Sequence, residues 1–92
     1  MRPIEVVPLT ALVNGFLGTT PVTPLEHAEV IRIAQAYTAE DSAVELRVSG
    51  DVVRARRKRL YRKLGVSNQG ELAARLLAYS LRPDGPLTPG AS

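Results

Sequence analysis

Apolar residues recur along this chain at helical spacing, and residues suited to helix ends divide the pattern into five segments. Residues 1–9 carry two prolines among β-branched side chains and predict an extended lead-in. Thr10 then caps a short helix, Ala11 to Leu17, closed by Gly18, with Leu12, Phe16, Leu9 and Val13 toward one face. So short a helix is marginal alone and must dock, either as an arm for a partner or as a cover over the core, and covering is the simpler role. After a linker, Thr23 caps a second helix running to about Ala36. Pro24 suits its first position, and Glu26 stands three residues after the cap, as in a capping box. Leu25, Val30, Ile33 and Ala34 form its expected inner side. A third helix spans Thr38 to Arg47, with Ala43, Val44 and Leu46 inward. Ser49 caps the fourth, Gly65 suits the position past its end, and Val53, Leu60 and Leu64 recur at spacings of seven and four. The fifth runs from about Gln69 to Leu81. Its apolar positions Leu72, Ala73, Leu76, Leu77, Tyr79 and Leu81 exceed what one core-facing stripe needs. The last eleven residues include three prolines and two glycines and predict a disordered tail.

Charge changes the meaning of the fourth helix. Seven of the chain's twelve basic residues lie there, Arg54, Arg56, Arg57, Lys58, Arg59, Arg62 and Lys63, against one acid, Asp51. Arg54, Ala55, Lys58, Arg59 and Arg62 fall on the half of the helix away from the apolar stripe. A solvated face normally mixes both signs, because like charges repel. A one-signed face around a small residue is suited to a nucleic-acid groove. The asymmetry extends to the whole chain. Residues 1–48 carry three basic and six acidic side chains, and the remainder nine and three, so halves of −3 and +6 give the net +3.

At 92 residues the chain predicts one small domain with an aliphatic, all-α core, since only four residues are aromatic. The absence of cysteine excludes disulfides and thiolate metal sites. The single histidine, His27, makes a metal site a poor expectation. Glu40, Asp41 and Glu45 lie near one another without a nucleophile or base beside them, so neither an enzyme nor a cofactor is expected. No apolar run reaches the ~18 residues of a membrane span. Glu5 and Pro8 interrupt the apolar N-terminus, which argues against a signal peptide and for a cytoplasmic, nucleoid-associated protein.

Two helices joined by a short turn, the second basic, make a helix-turn-helix arrangement. From about Val22 to Leu81 the chain resembles the LuxR/GerE-type DNA-binding domain. The resemblance is carried by T-P-L-E at 23–26, A-Q-A at 34–36, L-R-V-S at 46–49, V-R at 53–54, R-L-Y-R-K-L-G-V at 59–66, and Glu71. It implies an arm at residues 1–21, a four-helix helix-turn-helix domain at 22–81 and a tail at 82–92, like the members that carry no receiver or ligand-sensing domain. It also implies a bacterial transcriptional regulator binding specific double-stranded DNA. Arg54, Ala55 and Lys58 would read bases in the major groove, and Arg56, Arg57, Arg59, Arg62 and Lys63 would contact phosphates. Arg57, close to the apolar stripe, has the alternative of running its stem along the core. The chain departs from the family at Val52, where threonine is usual, at Ala36, where glycine is commoner, and at Ser42, where an aliphatic residue is commoner.

The surplus apolar residues of the last helix predict a homodimer on an inverted repeat, with Leu72, Ala73, Leu76, Leu77 and Tyr79 as its interface. RNA polymerase or another regulator is a further expected partner. Two alternatives remain at this stage: a sigma-factor-like module that contacts DNA as a monomer, and a protein-binding adaptor that uses the same fold only as a scaffold.

Overall fold

Thr23, Thr38, Ser49 and Asn68 each precede a helix, and each side chain accepts a hydrogen bond from the backbone N–H three residues on. A helix's first turn leaves its N–H groups unpaired, so these four oxygens fix where the helices begin. The computed structural model describes residues 9–82, which form α1 (Leu9–Leu17), α2 (Pro24–Ala34), α3 (Ala39–Leu46), α4 (Gly50–Leu64) and α5 (Gln69–Leu81), with no strand among them. The expected lead-in at 1–8 and tail at 83–92 lie outside the described residues. No helix among those described is long and apolar enough to cross a membrane.

Two boundaries differ from expectation. The first helix begins at Leu9, so Thr10 sits inside it and does not cap it. The second ends at Ala34, because Ala36 adopts the left-handed region at φ 66° and turns the chain. The Tyr37 N–H then reaches back to the Arg32 carbonyl at 2.9 Å, closing the helix end. α4 closes in the same way around Gly65, at φ 69°, with the Val66 N–H on the Tyr61 carbonyl at 3.0 Å and the Val66 side chain buried.

The apolar core joins α1, α2, α4 and α5 through Val13 and Leu17, Val30 and Ile33, Leu60, and Leu72 and Leu76, with Val66 beside them. α1 therefore covers the core, and Phe16 meets Tyr79 edge-on with ring centroids 5.9 Å apart. Gly15 permits that approach, since a β-carbon there would stand 2.3 Å from the Tyr79 hydroxyl. The His27 ring and the Asn14 side chain join α1 to α2 by a further hydrogen bond.

The α2 register puts acids inside. Glu26 and Glu29 are buried with Val30 and Ile33, and Leu25, expected inward, is 57% exposed. Val44 is likewise corrected: it is 80% exposed, because α3 packs principally on α4 and buries only Ser42 and Ala43 fully. Polar chemistry takes the place of aliphatic contact in this part of the fold. The buried Arg57 of α4 donates through Nε to Glu29 Oε2 (2.7 Å) and through Nη1 to Gln69 (3.1 Å). Its Nη2 reaches the Tyr37 and Thr38 carbonyls and Ser42 Oγ (2.9, 3.3 and 3.1 Å). Ser42 Oγ donates to Glu29 Oε2 at 2.8 Å, and Arg32 links Glu29 to Glu45. Among the described residues no buried side-chain polar atom lacks a partner, which is the condition under which a buried ion pair is tolerated.

Candidate nucleic-acid interface

α4 buries Val53, Arg57 and Leu60 and presents the opposite side to solvent. Stepping about 100° per residue, Ala55 and Arg62 lie near the middle of the outer face, with Lys58, Arg59, Asp51 and Val52 around them. Arg54, Ala55, Lys58, Arg59, Arg62 and Lys63 are all exposed, and Arg56 is half-buried on the flank. Ser49 and Asp51 at the helix start, and Arg62 and Lys63 in its last turn, complement the helix dipole.

The seven cations of this helix fall into two groups. Arg57, expected among the phosphate contacts, is only 3% exposed and spends its guanidinium on Glu29, so it has no access to a ligand. The local pattern places Arg57 close to the apolar stripe, but the partner that draws its guanidinium inward lies 28 residues away. Lys63 is exposed at its stem but gives its ammonium to Glu26 Oε1 at 2.8 Å. Arg54 is shared between Glu40 of α3 and Asp51 of its own helix. The remaining four, Arg56, Lys58, Arg59 and Arg62, have no carboxylate partner among the described residues. They surround Ala55, and this is the charge left to attract a polyanion.

Two of these acids, Glu26 and Glu29, are held ionised by their partners. The hydrogen bond from Lys63, followed by the Thr23 backbone N–H, holds the Glu26 carboxyl below its ordinary value of 4.5. Burial pushes Glu29 upward, but hydrogen bonds from Arg57 and Ser42 and the Arg57 charge outweigh it, and its pKa is also lowered. Hydrogen bonding to Asp51 raises the Arg54 pKa further above its ordinary range, with the charges of Asp51 and Glu40 adding to it. The Asp51–Arg54 pair is legible at a spacing of three. Glu40, fourteen residues from Arg54 across a turn, gives no local signal.

The residues expected at an α5 interface divide. Leu72 and Leu76 are core residues, 0% and 4% exposed, and Tyr79 is occupied by Phe16 on one side and by the Arg82 guanidinium, 3.6 Å from its ring centroid, on the other. These three are withdrawn from the interface, because the fold itself consumes that face. Ala73 and Leu77 remain exposed, and Ala74, Ala78 and Leu81 join them. Gly70, Ala74, Leu77 and Leu81 follow one another at spacings of four, three and four, a pattern that puts them in one exposed row along the helix. Leu77 of this row and the neighbouring Ala73 border an open apolar hollow of about 270 Å³ that Leu9 and Leu12 of α1 line from the other side.

The chain matches no family model, no curated protein and no solved structure, so the chemistry of these two surfaces carries the functional reading.

Proposed function

We propose that this chain is a sequence-specific double-stranded DNA-binding domain of the helix-turn-helix kind, a bacterial transcriptional regulator of LuxR/GerE type. In this reading α3 and α4 are the two helices of the motif and α4 enters the major groove. The observation that carries it is the outer face of α4, where Arg56, Lys58, Arg59 and Arg62 stand without carboxylates around the small Ala55. Four unneutralised cations on one helix repel each other, and a polyanion relieves that repulsion. Lys58 and Arg54 reach for guanine O6 and N7, Ala55 meets a thymine methyl, and Arg56, Arg59 and Arg62 bind phosphates. Arg57 and Lys63 are given other work by the fold.

The exposed aliphatic row of α5 supports a homodimer. Two-fold pairing along it would present two copies of α4 to an inverted repeat. Selection of bound sequences from random duplex DNA by the purified protein tests the whole reading. An enriched inverted repeat is the expected outcome. A single half-site would favour a sigma-like monomeric contact, and the absence of any enrichment would favour the protein-binding adaptor and overturn the DNA reading.

A further inference from the structure

Arg54 differs from every other exposed cation of α4. Its Nη2 donates to Asp51 Oδ1 at 2.6 Å and its Nη1 donates to Glu40, so two carboxylates from two helices hold one guanidinium. The side chain is nevertheless 52% exposed, with Glu40 at 67% and Asp51 at 91%. Gly50 leaves room for this arrangement, since a β-carbon there would lie 3.1 Å from Nη1 and 3.2 Å from Nη2. The trio carries a net charge of −1, at the beginning of a helix that is otherwise strongly positive.

We infer that Glu40 and Asp51 are positioning residues that make Arg54 a reader of bases and prevent it from acting as a general phosphate anchor; this rests on the DNA-binding reading above. Two consequences of the geometry support it. A phosphate approaching Arg54 meets two carboxylates already in place and a net negative group, so the attraction that makes arginine bind any duplex is cancelled. Guanine O6 and N7 are uncharged acceptors and meet no such opposition. Of the five guanidinium N–H groups, two are engaged by the carboxylates and three remain to donate. Holding the guanidinium at both Nη atoms fixes its plane, which a flexible arginine would otherwise have to fix on binding. The location agrees, because the N-terminal residues of a recognition helix are those that meet base edges. The carboxylates thereby lower affinity for every sequence while raising the contrast between sequences.

Exposed ion pairs contribute little to folding, so Glu40→Gln leaves a folded protein in which only the clamp is loosened. Affinities of wild type, Glu40→Gln, Arg54→Ala and the double variant would be measured on the selected duplex and on a scrambled one, across salt concentrations. Glu40→Gln is expected to bind scrambled DNA about threefold tighter or more, with a salt slope steeper by about 0.9 as one more phosphate is engaged. The preference for the selected duplex should fall about fivefold or more. Both effects should vanish in the Arg54→Ala background, because Glu40 acts through Arg54. If Glu40→Gln leaves preference and slope unchanged while Arg54→Ala loses preference, Arg54 reads bases unaided and the inference is overturned. A rise in affinity that persists without Arg54 would also overturn it, reducing Glu40 to a nearby repelling charge. A wild type that binds both duplexes equally would overturn the DNA-binding reading itself, a result distinct from the other two.

Discussion

Glu29 and Arg57 form the buried ion pair at which α2 and α4 meet. Both are almost wholly buried, and their contacts reach α2, α3, α4 and α5 through Ser42 and Gln69. Taking one charge from such a pair leaves the other buried and uncompensated, which costs about 3–5 kcal/mol. Glu29→Gln, nearly the same size, should therefore lower unfolding free energy by about 3 kcal/mol in urea titrations at neutral pH. The same carboxyl sets an acid limit. Its folded pKa lies below the ordinary 4.5, so the folded protein binds that proton less readily than the unfolded chain. The stabilisation is complete above about pH 5 and is lost as pH falls through 4.5 toward the folded value. Wild type should lose stability steeply over that window and Glu29→Gln less steeply, with Glu26 supplying part of the remaining slope. Equal slopes in the two proteins would mean that Glu29 is not ionised in the fold. Ser42 fits the same account. A serine stands at a buried position because its hydroxyl donates to Glu29 and accepts from Arg57, which an aliphatic side chain could not do.

Among the helices, ends are read from the sequence far more easily than faces. Thr23, Thr38 and Ser49 act within three residues of themselves, so α2, α3 and α4 begin where the local pattern puts them. The exposure of Arg54, Ala55, Lys58, Arg59 and Arg62 is legible for a similar reason, since Val53, Leu60 and Leu64 orient the helix without outside help. Facing fails where a partner is distant. Leu25, in the first turn of α2, stands about 90° from the middle of the face that buries Glu26, Glu29, Val30 and Ile33, and nothing near Leu25 announces which side that face takes. On α5, Leu72 and Leu76 go inward and Leu77 does not, a choice made by where α1 and α2 lie and not by the residues themselves. The clamp on Arg54 is half legible, since Asp51 is close in sequence and Glu40 is not. One helix end also holds a correctable strain. Ala36 occupies the left-handed region at φ 66°, which costs an L-residue about 1–2 kcal/mol. Ala36→Gly relieves that and gives back about 0.4–1 kcal/mol through the greater freedom of the unfolded chain. The variant should be more stable by about 0.5–1 kcal/mol, seen as a higher urea midpoint with unchanged slope. A destabilised variant would mean that the alanine methyl is in useful contact.

Over the whole molecule, the acidic first half of the sequence folds back on the basic helix. Glu26, Glu29 and Glu40 are three of the six acids in residues 1–48, and each pairs with a cation of α4. The seven basic residues of that helix consequently act as about four. At roughly 0.9 counterions per neutralised phosphate, with Arg56, Arg59 and Arg62 on phosphates, the slope of log K against log salt should be about −3 per subunit, and a value shallower than about −2 would remove this face from the DNA contact. The second surface is the α5 row, where Leu77 and Leu81 are each 59% exposed beside Ala73, Ala74 and Ala78. The row is short, so the free dimer should be weak, and DNA should strengthen it by holding two subunits together. Leu77→Glu isolates this effect. Because Leu77 is exposed in the single chain, a carboxylate there costs the fold little, but two of them facing across a dimer seam are desolvated without partners. The variant should retain its helical circular dichroism and bind an isolated half-site as wild type does. Its affinity for the full inverted repeat should fall about a hundredfold, the share that linkage of two sites contributes. Sedimentation of the DNA complex should show one subunit per half-site without cooperativity. Retention of full-site affinity and of two-subunit stoichiometry would exclude α5 as the seam and direct attention to α1, whose Leu9 and Leu12 border the same apolar hollow.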